Sequence, residues 1–202
     1  ILTLDANKQI SQQELDNLLQ ILSKDSMQTS ELLDNLLQWA GSQMKGTVMK
    51  PEICDLHNMV ERKILLFWQQ AQQKGIHLQN KITETTLVFA DMNMIEVVLR
   101  NLVSNAVKFC RNGDRIIISA NKENNMMKIC VTDTGIGIAS DRVDNIFNDI
   151  TFTIRGTSNE KGNGLGLSLC KDFVTKNGGK IWVESEQGKG SKFCFTVPVS
   201  GS

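Results

Sequence analysis

The chain has 202 residues, 41% of them apolar and 22% charged, and its 22 basic side chains are matched by 22 acidic ones. Such a composition is that of a globular protein and argues against a nucleic-acid surface or a polybasic membrane anchor, either of which needs a clear cationic excess. The longest apolar run, Ile64 to Trp68, is far below the ~20 residues of a membrane span. No cationic leader opens the sequence, so a piece not embedded in a membrane and cytoplasmic in location is expected, which leaves room for a full-length parent anchored in the inner membrane. Cys54, Cys110, Cys130, Cys170 and Cys194 stand singly, with no CxxC pair, and are expected to be reduced core residues.

In chain order, a long helix is expected from Ser11 to about Lys45. Leu15, Leu19, Leu22, Ser26, Thr29, Leu33, Leu36 and Ala40 recur at alternating spacings of four and three, the seam of a coiled coil or bundle. At ~1.5 Å per residue the helix is roughly 50 Å long, more than the next domain can cover, so its stripe calls for helical partners and a homodimer; folding back on its own domain is the alternative. Gly46 to Pro51, GTVMKP, breaks the pattern and divides the chain into residues 1–46 and 47–202. A short strand (Glu52 to Cys54), a helix (Asp55 to Lys74) and strands at Ile76 to Lys81 and Leu87 to Ala90 follow. His57 and His77 lie in these elements without patterned partners, which suits structural roles.

Asp91 caps a helix reaching about Cys110. Asn101, Asn105 and Lys108 are spaced i, i+4, i+7 on one face, opposite Leu99, Leu102, Val103 and Ala106. Carboxamide oxygens suit Mg²⁺, and a lysine one turn on supplies a point charge for phosphate. A solvated helix face would favour Glu, Lys and Gln over two asparagines, which are poor helix formers. Strands at Arg115 to Ala120 and Met126 to Asp133 come next, joined by the loop Asn121 to Asn125. The second ends on Asp133, and Gly135 and Gly137 follow within four residues, giving a backbone that another molecule can approach. A carboxylate so placed can accept hydrogen bonds from the amino group of a nucleobase; an ordinary strand end with an Asx turn is the alternative.

A short helix is expected from Ser140 to Phe147, then an aperiodic stretch from Asn148 to Lys161. The run Gly162-Asn163-Gly164-Leu165-Gly166-Leu167 opens an amphipathic helix that ends at Asn177-Gly178-Gly179. A helix N-terminus after a glycine-rich loop offers free N–H groups to phosphate. The run is neither a Walker loop, lacking the Lys-Ser/Thr, nor a dinucleotide fingerprint, lacking the preceding strand. Strands at Lys180 to Ser185 and Ser191 to Pro198 close the chain.

Together NLVSNAVKF (Asn101 to Phe109), DTGIGI (Asp133 to Ile138), Ile146-Phe147, GTSNEKGNGLGL (Gly156 to Leu167) and the tail NGGKIWVESEQGKGSKFCFTVP resemble, in order and over about 150 residues, the boxes of the sensor histidine kinase ATP-binding domain. The segment LLDNLLQWAGSQ similarly resembles the second helix of the dimerisation and histidine-phosphotransfer hairpin, in the manner of Bacteroides-type sensor or hybrid kinases. The resemblance implies an α+β, Bergerat-type sandwich, with helices over one face of a mixed sheet, preceded by a dimerisation helix. It implies ATP and Mg²⁺ as cofactors and a response regulator or receiver domain as partner. Asp133 would accept the adenine amino group, with Gly135, Gly137 and Ile138 along the nucleotide. Asn105 would hold Mg²⁺, Asn101 and Lys108 would orient the phosphates, and Asn101 would be the catalytic position. Phe109, Thr157, Gly162, Gly164, Leu165, Gly166 and Leu167 would complete the ATP site, with Asn148 to Asn163 as a lid.

Two departures accompany the resemblance. No phosphoacceptor histidine followed by an acidic residue stands in residues 1–202, and NDITFTIRG lacks the usual second phenylalanine and arginine arrangement, which leaves the role of Arg155 open. A hydrolase of the same superfold places a glutamate one turn before the metal-binding asparagine. Here Asn101 occupies that place and cannot serve as a general base, which favours transfer to a protein side chain. A GHKL-type ATPase, a serine-kinase anti-sigma regulator and a non-catalytic dimerisation module are the competing readings.

Overall fold

The computed structural model describes residues 11–15, 18–19, 22, 26, 33, 37, 49–148, 155–158, 160 and 164–199. Most of the expected N-terminal helix lies outside them. Its start is marked by a capping box, in which the Ser11 hydroxyl accepts from Glu14 N at 3.2 Å while Glu14 Oε2 accepts from Ser11 N at 2.9 Å. The described positions between 12 and 37 are helical, and Leu15, Leu18, Leu19, Leu22, Leu33 and Leu37 are exposed in the single chain.

From Pro51 the order is β1 (Pro51–Asp55), α1 (Leu56–Lys74), β2 (His77–Asn80), β3 (Leu87–Asp91), α2 (Met92–Phe109), β4 (Arg115–Glu123), β5 (Met126–Asp133), α3 (Ser140–Val143), α4 (Leu165–Lys176), β6 (Ile181–Glu186) and β7 (Gly190–Pro198). Strands β2-β4-β5-β7-β6 form a sheet in which only β2 and β4 run parallel; β1 and β3 pair separately as an antiparallel ribbon. This is the mixed sheet expected. Period-2 alternation sends Ile116 and Ile118, Met127, Ile129 and Val131, and Phe193, Phe195 and Val197 to one face, where helices bury them. Helix α2 is central, with Ile95, Val98, Leu99, Leu102, Val103 and Val107 fully buried.

Helix ends follow local chemistry. Asp55 Oδ1 caps α1 through Asn58 N at 3.0 Å, and Gly75, at φ 67°, terminates it with its N–H on the carbonyls of Ala71 and Gln72. Asp91 caps α2 through Met94 N at 3.2 Å and also receives Lys50 N at 3.0 Å, which fixes the entry of the chain into the domain. His57 Nδ1 lies 2.7 Å from the Ile82 carbonyl, a structural contact; His77 is an exposed strand residue.

Three expectations are corrected. The loop Asn121 to Asn125 shrinks to a two-residue turn at Asn124-Asn125, because the strands pair out to Glu123 and Met126 and Asn124 tolerates φ 55°. The helix expected from Ser140 to Phe147 closes after Val143 and continues as turns, with Ile146 and Phe147 packed on the core instead of extending a helical stripe. The five cysteines are not all free: Cys130 and Cys194 face each other in register on β5 and β7 and form a disulfide, while Cys54, Cys110 and Cys170 are buried thiols. Burial pushes the Cys110 thiol up to about 12, so it is held as an unreactive neutral group.

Phe195→Ala, at a fully buried ring in the middle of β7, should lower stability by about 3–5 kcal/mol in urea unfolding. Denatured without reductant, the chain should present three titratable thiols, and five after reduction; five in both conditions would refute the bridge.

Candidate functional site

Strand β5 carries Asp133 to the edge of the core and leaves it buried. Its Oδ1 accepts from Gly135 N at 2.9 Å and from Ser191 N at 3.3 Å. Both bonds fall on Oδ1, so Oδ2 keeps its acceptor capacity, as an exocyclic amino group requires. Burial raises the pKa of Asp133 to about 6 against those two bonds, with the Asp114 charge adding to the rise. An open groove of about 360 Å³ lies beside it, lined by the strand ends Thr132–Asp133, Glu184–Glu186 and Lys189–Lys192 and by none of the α2 stripe. The Asx turn and an open acceptor therefore coexist here: Oδ1 closes the turn and Oδ2 remains.

The glycines after Asp133 are required first by the protein itself. A Cβ on Gly135 would lie 2.5 Å from the Phe109 carbonyl oxygen, and one on Gly137, at φ 66°, would run into the Glu186 carbonyl. The turn is stitched down by Ile136 N to Phe109 O at 3.2 Å and by Ile138 N to Ser185 Oγ at 2.9 Å.

The polar stripe of α2 is graded in depth. Asn101 is buried, and its Nδ2 donates to the Val97 carbonyl at 3.0 Å. Its Oδ1 faces Gly166, where a Cβ would lie 2.6 Å away, so α4 packs directly on this carboxamide. Asn101 thus sits under the glycine run instead of facing an open cleft with the other two. Asn105 is half-buried and makes no side-chain hydrogen bond among the described residues, leaving its carboxamide available to a ligand. Lys108 holds its ammonium 4.9 Å from the centroid of the half-buried Phe109 ring.

Gly164, at φ 71°, starts α4, a backbone conformation that glycine adopts without a Cβ penalty, and as N-cap it supplies no side chain of its own. Leu165 and Leu167 are half-buried, and Leu167 packs on the core. Thr157 is occupied by protein contacts: its N–H donates to Lys108 O at 3.0 Å and its hydroxyl to Cys110 O at 2.7 Å. Gly162 and most of Asn148 to Asn163 lie outside the described residues; Arg155 is exposed.

Sequence reasoning missed Ser185, Ser191 and Gly190, which hold Asp133 from a strand end more than fifty residues away; Gly190 has φ 102° and a Cβ there would meet the Asp133 carbonyl. It also missed Lys74 and Glu160, which lie 86 residues apart and whose pairing has no local signature.

Among known families, the model described as histidine kinase-, DNA gyrase B- and HSP90-like ATPase matches residues 90–201. The adaptive-response sensory kinase SasA of Prochlorococcus marinus is 36% identical over 184 residues, which cover 90% of this chain and 48% of that protein. The chain therefore spans about half the length of the curated relative. Among solved structures, the catalytic domain of histidine kinase ThkA superposes with a TM-score of 0.66 at 29% identity, over 75% of this chain and 97% of that one. ThkA in complex with response regulator protein TrrA gives a TM-score of 0.71 at 22% identity, over 98% and 53%, a likeness of fold.

Because the folded pKa of Asp133 lies above its usual 3.8, its protonated form favours the fold, and that contribution is lost as pH rises from about 4 through about 6. Asp133→Asn, which keeps the Oδ1 acceptor, should therefore raise the neutral-pH melting temperature of the ligand-free protein, read by calorimetry. Conversely, affinity for adenosine should fall as pH drops from 7 to 5, since protonation replaces an acceptor with a donor; titrations at fixed ionic strength check this.

Proposed function

Since this chain belongs to the histidine kinase-, DNA gyrase B- and HSP90-like ATPase family, with the fold of histidine kinase catalytic domains, we propose that it is the ATP-binding part of a sensor histidine kinase. In this reading residues 47–202 are the catalytic domain and 1–46 a partial dimerisation segment. The observation that carries it is the carboxylate of Asp133, buried, held through one oxygen and able to accept through the other. A general surface site gains nothing from a desolvated carboxylate, whereas a nucleobase amino group offsets its cost.

The donors suit a magnesium nucleotide. Among the described residues no group of three or more His, Cys, Asp or Glu gathers into a protein-only cage. The Asn105 carboxamide is an oxygen donor of the kind Mg²⁺ accepts alongside phosphates and waters. When bound, the ion neutralises charge developing on the phosphates. The chain's own part is positional. Asp133 selects and orients the base, Lys108 supplies a cation to the phosphate chain, and the N-terminal end of α4, which begins after Gly164, brings the positive end of the helix dipole to the phosphates. Asn101 fixes α2 against α4 and is unable to take a proton from water, which supports transfer to a histidine over hydrolysis.

The phosphoryl group would pass to a histidine on a dimerisation helix and from there to an aspartate of a response regulator or receiver domain. The exposed leucines between positions 15 and 37 support a homodimer, since burying each recovers about 1.5–3 kcal/mol. No described helix is long and apolar enough to cross a membrane.

Calorimetry of the whole chain with ATP and Mg²⁺ should give saturable heat, and Asp133→Ala should weaken binding by roughly 1–3 kcal/mol with the fold intact; unchanged affinity removes Asp133 from the site. Asn105→Ala should abolish the gain in affinity on adding Mg²⁺, and a normal magnesium response in that variant would refute its role. Offered a separately made helix bearing a histidine followed by an acidic residue, the chain should transfer label from [γ-³²P]ATP to it in an acid-labile linkage.

A further inference from the structure

Lys74, the last residue of α1, is directed inward, and its Nζ meets four acceptors. They are the carbonyls of Val107 at 2.8 Å and Lys108 at 3.1 Å, Thr157 Oγ1 at 2.8 Å and Glu160 Oε1 at 3.0 Å. The two carbonyls belong to the final turn of α2, whose acceptors have no intrahelical partner. The other two belong to a tight turn closed on itself: Gly156 N donates to Glu160 O at 2.9 Å, and Ser158 N to Glu160 Oε2 at 2.8 Å. One ammonium therefore ties α1, α2, Thr157 and Glu160 together. Both side chains of the Lys74–Glu160 pair are about nine-tenths buried.

Such a pair is a weak reason for stability by itself, since desolvation offsets much of the attraction; its geometry is the better guide to what it does. Burial works to raise the pKa of Glu160, but the hydrogen bond from Lys74, the backbone N–H groups of Glu160 and Ser158 and the Lys74 charge together outweigh it and hold the carboxyl below the usual carboxylate range, so Glu160 stays ionised. The turn it anchors lies against Lys108. A Cβ on Gly156 would strike the Lys108 side chain at Cγ and the Glu160 carboxylate, and would lie 2.8 Å from the Lys108 carbonyl. The Lys108 stem is thus enclosed on one side by a turn whose position depends on Glu160.

We infer that Lys74 and Glu160 are a positioning pair for the phosphate side of the nucleotide pocket, acting through the backbone and stem of Lys108 without touching the nucleotide. This rests on the reading of Lys108 as a phosphate contact. Asp133, which reads the base, is held by a different set of bonds from β7 and the Gly135 turn. Neither Lys74 nor Glu160 bonds the Asp133 turn, which meets α2 at the Phe109 carbonyl, so the pair acts first on phosphate recognition, a split that general loosening of the fold would not produce.

The test compares affinities for adenosine and for Mg²⁺–ATP by calorimetry in the whole chain, for wild type, Lys74→Met, Glu160→Gln and Gly156→Ala. In Lys74→Met the ratio of ATP to adenosine affinity should fall about tenfold, the scale of a lost charge-assisted hydrogen bond, with adenosine affinity unchanged. Glu160→Gln, isosteric and still able to accept from Ser158 N, should show a smaller fall in the same ratio, and it carries the test alone if Lys74→Met does not fold. Gly156→Ala should lower the ratio by crowding Lys108. Equal losses for both ligands would make the pair merely structural, and an unchanged ratio would remove it from phosphate recognition; either overturns the inference. Failure of the wild-type chain to bind adenosine or ATP would instead overturn the functional reading itself.

Discussion

The constraint around which this domain is organised is a carboxylate kept out of water. Asp133 gives up hydration on entering the edge of the core, and two backbone N–H groups on one oxygen recover only part of that cost. Everything near it serves that compromise. Gly135 lets the turn lie on the Phe109 carbonyl, Gly190 lets β7 begin against the Asp133 carbonyl, and Ser185 ties Ile138 to the Gly190–Ser191 corner. In the proposed reading, a ligand amino group would complete what the protein leaves open.

The second organising feature is the end of α2. A helix ends with carbonyls that have no partner in the helix, and here several are used by different parts of the chain. Val107 and Lys108 receive the Lys74 ammonium, Lys108 also receives Thr157 N, Phe109 receives Ile136 N, and Cys110 receives the Thr157 hydroxyl. The turn after Asp133 and the turn at Gly156–Thr157 therefore meet on the same few carbonyls, within one helical turn of Lys108. Local secondary structure supplies the acceptors, and tertiary packing decides which segments take them.

The opposite face of the sheet works differently. Where the helix-covered side is apolar, the outer side carries charged cross-strand pairs such as Glu184–Lys192 and Glu123–Lys128, and Lys128 also lies 5.6 Å from the Trp182 ring. Cys130 and Cys194 lie among these outward positions. Two strands of alternating character thus present core residues inward and a covalent link outward, three residues from Asp133.

What the sequence by itself determined is whatever is encoded over a few neighbours. The alternation of β5 and β7, the amphipathic stripe of α2, the cap Asp91 and the helix opened by the glycine run are all short-range patterns, and each stands where the residues placed it. The stripe Asn101, Asn105, Lys108 was visible as a face, since i, i+4, i+7 spacing fixes direction around a helix. How deep each member sits was not visible, because depth depends on what covers the face, and α4 packs on Asn101 through Gly166. The disulfide and the pairing of Lys74 with Glu160 were equally hidden, being separated by 64 and 86 residues and brought together only by strand register and by the turn packed on α2. Only the tertiary structure could decide these, since partner choice across such distances is set by which surfaces the folded core leaves in contact.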